Sequence, residues 1–196
     1  MRVKLCGIRS VDDARLCEAE GADELGVIFA LGSKRRVSPS LAREIREAVK
    51  VPVVGVFKDV SFEEALRVVQ EAGLAAAQLH GPWPLHGQPV IPAYAALQVM
   101  DESALTPRPG AARVLLDGPA GGSGKSFAWG LTARARELYD VPLFIAGGLT
   151  PENVQQAIAE AKPDGVDVAS GIEGPDGFKD RARVRAFVRA ARGESL

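Results

Sequence analysis

The sequence predicts an α/β protein folded as a compact (β/α)8 barrel, and three observations carry that prediction. Eight short apolar segments alternate with amphipathic segments along most of the 196 residues, as expected for parallel strands joined by helices. Most of the apolar segments are rich in Val, Ile and Leu without polar alternation, which is typical of strands buried on both faces. Glycines directly follow several of them and provide sharp exits. An open doubly wound sheet is the alternative.

The elements follow from these patterns in chain order. The predicted strands are Arg2–Cys6, Glu24–Phe29, Val51–Phe57, Ala76–His80, Pro89–Tyr94, Arg113–Asp117, Pro142–Ala146 and Gly165–Ala169. The predicted helices are Val11–Glu20, Pro39–Val49, Phe62–Ala72, Trp129–Tyr139, Pro151–Ala161 and Asp180–Arg192. Capping signals support several helix starts, at Ser10, at Ser38 and Thr150 before prolines, and at Ser61 in a capping-box pattern.

The chain is short for eight strand–helix units, since such barrels take about 250 residues. The stretch 81–89 holds three prolines and two glycines and is therefore a poor helix. We expect the fourth and fifth helices to be short or missing. No linker or change of composition marks a second domain, so residues 1–196 are predicted to form a single domain.

Composition excludes several classes of function. The net charge of −1 favours neither nucleic acid nor anionic membranes as partners. No apolar run approaches the ~20 residues of a membrane span, and no secretory signal begins the chain, so we expect a cytoplasmic protein. Two cysteines without metal-like spacing predict neither disulfides nor a metal site, and no cofactor is expected. A single asparagine, Asn153, is typical of thermophilic proteins.

Two residues at predicted strand ends form the candidate catalytic pair. Cys6 and Asp117 each close a strand and are each followed by glycine. In a closed parallel barrel such positions share one mouth, so a thiol and a carboxyl are expected to face one small substrate and to transfer protons on both sides of it. Burial is expected to raise the pKa of Asp117, and nearby positive charge such as Lys4 to lower that of Cys6.

Two later segments predict a phosphate site. Gly147-Gly148 forms a glycine turn before a capped helix start, and Asp167 to Gly171 is the next strand with its exit through Ser170. Small residues let backbone N–H groups approach an anion, and a helix N-terminus adds a favourable dipole. In barrels this site commonly follows strands seven and eight.

Three further features belong to the same face of the barrel. Lys34-Arg35-Arg36 follows the second strand, where an arginine can clamp a substrate carboxylate. His80 ends the fourth strand and is assigned either to the pocket or to a structural hydrogen bond. The segment 121–126 is similar to a Walker loop, but Pro119 stands where such a loop needs its first glycine. It is interpreted as a lid over the substrate, with a plain mobile loop as the alternative.

Taken together, these segments resemble the phosphoribosylanthranilate isomerase family. The resemblance runs in family order from the first strand to about Asp180, and it is carried by residues 4–8, 78–81, 115–117, 121–129, 146–154 and 167–173. It implies a (β/α)8 TIM barrel of tryptophan biosynthesis, an Amadori rearrangement of N-(5′-phosphoribosyl)anthranilate, and no cofactor. Relatives include dimers and fused monomers, so a homodimer is one expected assembly.

The resemblance also implies roles for individual residues. The family's general base falls on Cys6, its general acid on Asp117 and its carboxylate-binding arginine on Arg35, with Arg36 adjacent. The family's phosphate-binding amides fall near Gly147, Gly148, Ser170 and Gly171. His80 and Asp167, at the fourth and eighth strands, complete the candidate substrate-binding residues.

Two other functions remain open at the level of sequence. One is a bifunctional isomerase that also accepts a histidine-pathway aminoimidazole substrate, but such barrels use paired carboxylates, and here the first-strand position is Cys6. The other is a non-catalytic barrel that binds phosphosugars, against which the Cys6–Asp117 pair argues.

Overall fold

Eight parallel strands close on themselves into a TIM barrel, in the order in which they occur in the chain. The computed structural model describes residues 1–81, 83, 89–118 and 130–194. The strands are β1 (Arg2–Cys6), β2 (Glu24–Ile28), β3 (Val53–Lys58), β4 (Ala76–His80), β5 (Ala93–Gln98), β6 (Arg113–Asp117), β7 (Leu143–Ala146) and β8 (Gly165–Val168). Pairing of β8 with β1, Lys4 opposite Asp167, closes the barrel and excludes the open sheet.

Six α-helices surround the barrel in the described part of the chain. They are α1 (Val11–Ala19), α2 (Pro39–Ala48), α3 (Phe62–Ala72), α4 (Thr132–Leu138), α5 (Val154–Ala161) and α6 (Arg181–Arg192). The side chains of Ser10 and Ser38 cap α1 and α2 as predicted, and Ser61 forms a capping box with Glu64 at α3. None of these helices is long and apolar enough to cross a membrane.

The prediction of short or missing fourth and fifth helices is confirmed as far as the structure describes those connections. Between β4 and β5, neither residues 81 and 83 nor residues 89–92 are helical. Between β5 and β6 the described chain forms only a short 3-10 turn, Glu102–Ala104. The predicted lid, residues 121–126, lies outside the described residues. The predicted start of the helix Trp129–Tyr139 lies outside them as well.

Two predicted elements were misplaced. The fifth strand, predicted at Pro89–Tyr94, lies at Ala93–Gln98, because proline has no N–H for a ladder and is excluded from interior strands. The alanine-rich segment that forms β5 lacks the β-branched residues by which strands are recognised. The helix predicted from Pro151 begins at Val154, and the Thr150 N–H bonds instead to the Asn153 side chain.

The apolar core lies mainly between the barrel and its helices, whereas the barrel interior also holds charge. Arg113 and Glu24, at the starts of β6 and β2, form a bidentate pair with both distances at 2.6 Å. The Arg113 guanidinium also stacks 3.9 Å from the ring centroid of Phe144 and 4.1 Å from that of Tyr94. Because both charged residues begin their strands, the pair fills the amino-terminal end of the barrel.

Replacing Arg113 with methionine should therefore destabilise the protein without disabling its site. The Glu24 carboxylate, 7% exposed, would lose its cation, and breaking a buried pair in this way costs about 3–5 kcal/mol. Urea unfolding measures the loss. The double variant Arg113→Met/Glu24→Gln is the control and should recover most of it, since it leaves no unpaired charge; equal losses in both variants would contradict this account.

Candidate active site

The carboxyl ends of the strands open into one cavity of about 270 Å³. Eight of the nine predicted site residues line it, namely Cys6, Arg35, His80, Asp117, Gly147, Gly148, Asp167 and Ser170. The ninth, Gly171, directly follows Ser170 and is not among the lining residues. The barrel thus brings together residues from six strands or their exits, namely β1, β2, β4, β6, β7 and β8.

The Cys6 thiol lies beside the Lys4 ammonium in the barrel interior. Gly26 on β2 makes room for both, because a Cβ there would lie 2.7 Å from Cys6 Sγ and 3.1 Å from Lys4 Nζ. Contacts under 3.0 Å are not tolerated by a well-packed interior. Glycine at this position is therefore a steric requirement of the site.

The pKa of Cys6 is raised above its ordinary value. Burial, which disfavours the thiolate, is the largest cause, and the charge and hydrogen bond of Lys4 act in the opposite direction without overcoming it. The expectation that Lys4 lowers this pKa is thus correct in sign for the Lys4 contribution alone. In the free protein the expected net lowering is wrong, and Cys6 is mainly a thiol at neutral pH.

The pKa of the Asp117 carboxyl is also raised, to about 6, and burial is the largest cause. The negative charge of Asp167 adds to that increase, and the Lys4 charge partly offsets it. A carboxyl with this pKa holds a proton in an appreciable fraction of molecules near neutral pH. This agrees with the expectation that burial suits Asp117 to act as an acid.

A buried ion pair lies below the two candidate catalytic groups. Lys4 Nζ donates to Asp167 Oδ2 at 2.8 Å, and the two side chains are 1% and 6% exposed. Burial is the largest single influence and lowers the pKa of Lys4, but the charges of Asp167, Cys6 and Glu24 and the hydrogen bond to Asp167 together outweigh it. The net pKa is raised, so Lys4 stays charged. Asp167 Oδ1 is buried without a hydrogen-bond partner in the described structure, and Asp167 lines the cavity.

Of the two candidate arginines, only Arg35 lines the cavity, whereas Arg36 is exposed. Arg35 Nε and Nη2 donate to the two carboxylate oxygens of Glu173, at 2.6 and 2.8 Å. Glu173 also accepts from Lys179 Nζ at 3.2 Å. No sequence pattern indicates Lys179, which is separated from Arg35 by more than a hundred positions.

His80 lies at the rim with a neutral imidazole. Its Nε2 is 3.0 Å from Nε2 of Gln78, and burial together with the Lys4 and Lys58 charges lowers its pKa to about 4. Both interpretations of His80 are therefore realised, because it lines the cavity and makes a hydrogen bond within β4. It contributes a polar group without charge at neutral pH.

The exits of β7 and β8 form a cradle of small residues. Gly147 and Gly148 have φ values of +90° and +65°, which glycine adopts readily. A Cβ on Gly147 would lie 2.5 Å from the Gly118 carbonyl oxygen, and one on Gly171 would lie 2.0 Å from that of Leu149. The Asn153 side chain donates to the Gly148 carbonyl and fixes the turn. Such backbone can approach an oxyanion closely.

No metal site accompanies these groups in residues 1–81, 83, 89–118 and 130–194, where no three His, Cys, Asp or Glu side chains are grouped to hold an ion. The arrangement provides a proton acceptor, a proton donor, an arginine and an anion cradle around one cavity. Proton transfer on a substrate with two anionic ends is the chemistry for which these groups are suited.

Comparisons with known proteins agree with this geometry. The family model for N-(5′-phosphoribosyl)anthranilate (PRA) isomerase matches residues 3–190. The N-(5′-phosphoribosyl)anthranilate isomerase of Deinococcus radiodurans is 39% identical, over 98% of this chain and 97% of that protein. Two solved structures each reach a TM-score of 0.83 at 34% identity, covering 98% of this chain and 99% of theirs. One contains monomers generated from the dimeric phosphoribosylanthranilate isomerase of Thermotoga maritima, and the other is a phosphoribosylanthranilate isomerase in complex with reduced 1-(o-carboxyphenylamino)-1-deoxyribulose 5-phosphate. This chain therefore belongs to the N-(5′-phosphoribosyl)anthranilate isomerase family.

Proposed function

We propose that this chain converts N-(5′-phosphoribosyl)anthranilate into 1-(2-carboxyphenylamino)-1-deoxyribulose 5-phosphate, with Cys6 as general base and Asp117 as general acid. The reaction is an intramolecular aldose–ketose isomerisation, the third step from chorismate in tryptophan biosynthesis. The observation that carries the proposal is that a thiol on β1 and a carboxyl on β6 line one cavity, with groups suited to the two anionic ends of this substrate at its rim.

Asp117 begins the reaction by giving its proton to the furanose ring oxygen. The bond between that oxygen and C1′ then breaks, and the anthranilate nitrogen supplies the electron pair that forms a protonated Schiff base. The raised pKa of Asp117, about 6, supports this role, because a carboxyl at its ordinary pKa of about 3.9 would be almost fully ionised at neutral pH.

Cys6 completes the rearrangement by removing the proton from C2′. The electron pair of the C2′–H bond moves into the Schiff base and gives an enolamine, which tautomerises to the ketone. The thiolate is the reactive form, and the Lys4 charge beside Cys6 favours it. The positive Schiff base formed in the first step adds a second favourable charge at the moment when the base is needed.

The two ends of the substrate are held by different parts of the rim. We assign the phosphate to the cradle formed by Gly147, Gly148, Ser170 and Gly171, and the anthranilate carboxylate to Arg35. His80 and Asp167 contact the ribose between these ends, and the unpartnered Oδ1 of Asp167 is suited to accept from a sugar hydroxyl. Holding both ends fixes C2′ between base and acid, which reduces the entropic cost of the reaction.

The test is to mix the purified protein with freshly generated N-(5′-phosphoribosyl)anthranilate and to follow its loss optically. We expect turnover of this substrate and none of the histidine-pathway aminoimidazole substrate, because β1 carries a thiol in place of a carboxylate. Turnover of both would favour the bifunctional isomerase. Binding of the reduced product without turnover of the substrate would favour the non-catalytic barrel.

Four properties of the whole protein belong to the same proposal. We propose that residues 1–196 act as a single catalytic domain in the cytoplasm, without metal or cofactor. We also propose a homodimer, which is supported by the Thermotoga maritima relative, whose enzyme is dimeric. Light scattering in solution separates a monomer of 20.7 kDa from its dimer.

A further inference from the structure

The contact between Arg35 and Glu173 uses one particular edge of the guanidinium. Nε and Nη2 are the donors, and they meet the two oxygens of one carboxylate. A guanidinium has five N–H donors in a rigid plane, so the edge formed by Nη1 and the second N–H of Nη2 lies outside this pair. That edge has the spacing of a carboxylate and can bind it in bidentate fashion.

Glu173 is itself held firmly on its other side. Lys179 Nζ, fully buried, donates to Glu173 Oε1 at 3.2 Å and to the Ala169 carbonyl at 2.9 Å. The Lys179 backbone N–H in turn donates to the buried Asp13 carboxylate of α1 at 3.0 Å. The position of Glu173 is thereby tied to α1 and to the exit of β8.

The charges of this group leave an excess that suits an anionic ligand. A pair of Arg35 and Glu173 alone would be neutral, whereas Lys179 gives the three side chains a net charge of +1. The Arg35 side chain is 29% exposed and lines the cavity. The positive charge of the group therefore faces the space proposed for the substrate.

The glycine that follows Cys6 fixes the path of the Arg35 side chain. A Cβ on Gly7, whose φ is +76°, would lie 2.5 Å from Arg35 Cδ and 3.3 Å from Nε. The stem of Arg35 therefore crosses directly over the end of β1. The guanidinium is confined by Gly7 on one side and by Glu173 on another, so its plane has little freedom.

We propose that Glu173 is a positioning residue that orients the free edge of Arg35 toward the carboxylate of the substrate, with Lys179 keeping the group positive. The inference rests on the proposed function, because it assumes that Arg35 binds the anthranilate carboxylate. Glu173 then contributes to specificity for a carboxylated aromatic ring without touching the substrate. It does not take part in proton transfer.

The test compares two ligands on each of several variants by isothermal titration calorimetry. One ligand is reduced 1-(2-carboxyphenylamino)-1-deoxyribulose 5-phosphate, and the other is the same compound without its carboxyl group. The ratio of their dissociation constants reports the carboxylate contact alone.

We expect the parent to prefer the carboxylated ligand by at least about tenfold, and Glu173→Gln to lose most of that preference. Glu63→Gln, which removes an exposed charge on α3, is the control and should keep it.

Steady-state kinetics supply a second measurement on the same variants. Glu173→Gln should raise KM while kcat changes by less than about twofold, because the lost contact is uniform binding. Glu173→Asp keeps the charge beside Lys179 but withdraws the carboxylate by one methylene, and it should give an intermediate ligand preference. This second variant keeps the test decisive if Glu173→Gln unfolds.

The possible outcomes distinguish the proposed carboxylate site at Arg35 from the positioning role of Glu173. If Arg35→Ala keeps the full preference for the carboxylated ligand, the proposed carboxylate site is wrong. If Arg35→Ala abolishes the preference while both Glu173 variants keep it, the carboxylate site stands and the positioning role of Glu173 is overturned. An equal loss of affinity for both ligands in the Glu173 variants would also overturn it, since it would indicate a general structural defect.

Discussion

Replacing Cys6 with serine is expected to lower kcat by about 10²–10⁴-fold, the usual contribution of a positioned general base. The serine hydroxyl is close in size to the thiol but far less acidic, so the variant has no usable base at neutral pH. Rapid-mixing assays with freshly generated substrate measure the effect. Binding of the reduced product should change little, because the phosphate cradle and Arg35 are unaltered.

The second cysteine provides a matched control for that experiment. Cys17 is a buried residue of α1, and burial raises its pKa to about 12, so it is an inert thiol away from the cavity. Cys17→Ala should retain the kcat of the parent once its folding is verified. A Cys6→Ser variant with parental kcat would show that another group removes the C2′ proton.

Replacing Asp117 with asparagine is expected to lower kcat by a similar factor, about 10²–10⁴-fold. Asparagine keeps the shape and polarity of the side chain but has no proton of suitable acidity to give to the ring oxygen. Turnover by Asp117→Asn within about threefold of the parent would contradict the assignment of the acid. Whereas the same substitution lowers kcat, it should raise the stability of the folded protein relative to the parent as the pH increases.

The effect on stability follows from the pKa of Asp117, which is about 6 in the folded protein against 3.8 ordinarily. A carboxyl whose pKa is raised by folding contributes its full stabilisation only at pH values below its ordinary pKa. That stabilisation is lost as the pH rises through 6. Asparagine does not titrate, so the variant escapes the loss. Its stability relative to the parent should increase by about 1 kcal/mol between pH 5 and pH 8, measured by urea unfolding at both pH values.

The sequence was sufficient for the architecture because strand and helix periods, caps and glycine exits are local signals. It failed at β5, where alanines replace the β-branched residues that mark a strand, whereas the apolar Val90 and Ile91 lie before the strand begins. Burial predicted the direction of the Asp117 pKa, since the end of an interior strand is necessarily enclosed. The same reasoning underestimated burial at Cys6, where desolvation outweighs the charge of Lys4.

Two parts of the site depend on pairs that sequence reasoning had no means to find. Lys4 and Asp167 are 163 positions apart, and they meet only because β8 closes the barrel onto β1. Arg35 and Glu173, 138 positions apart, meet because the loops after β2 and β8 converge on the same side of the mouth. Each of these residues belongs to a segment with its own sequence pattern, but their pairing is a property of the closed barrel.

The central claim, that Cys6 and Asp117 act as base and acid on one substrate, is tested most directly by the pH dependence of kcat/KM, which reports the free enzyme. The parent should show a plateau that begins near pH 6, because the thiolate fraction rises with pH as the protonated fraction of Asp117 falls. The two apparent pKa values belong to the pair as a whole. Removing either group should therefore unmask the titration of the other.

The predicted result is specific for each variant. The residual kcat/KM of Asp117→Asn should rise steadily with pH from 6 to 9, following the thiolate of Cys6, whose pKa is raised. The residual kcat/KM of Cys6→Ser should fall above pH 6, following the loss of the proton from Asp117, whose pKa is about 6. The same plateau in the parent and both variants would contradict the account, because it would show that neither group is titrated in the reaction.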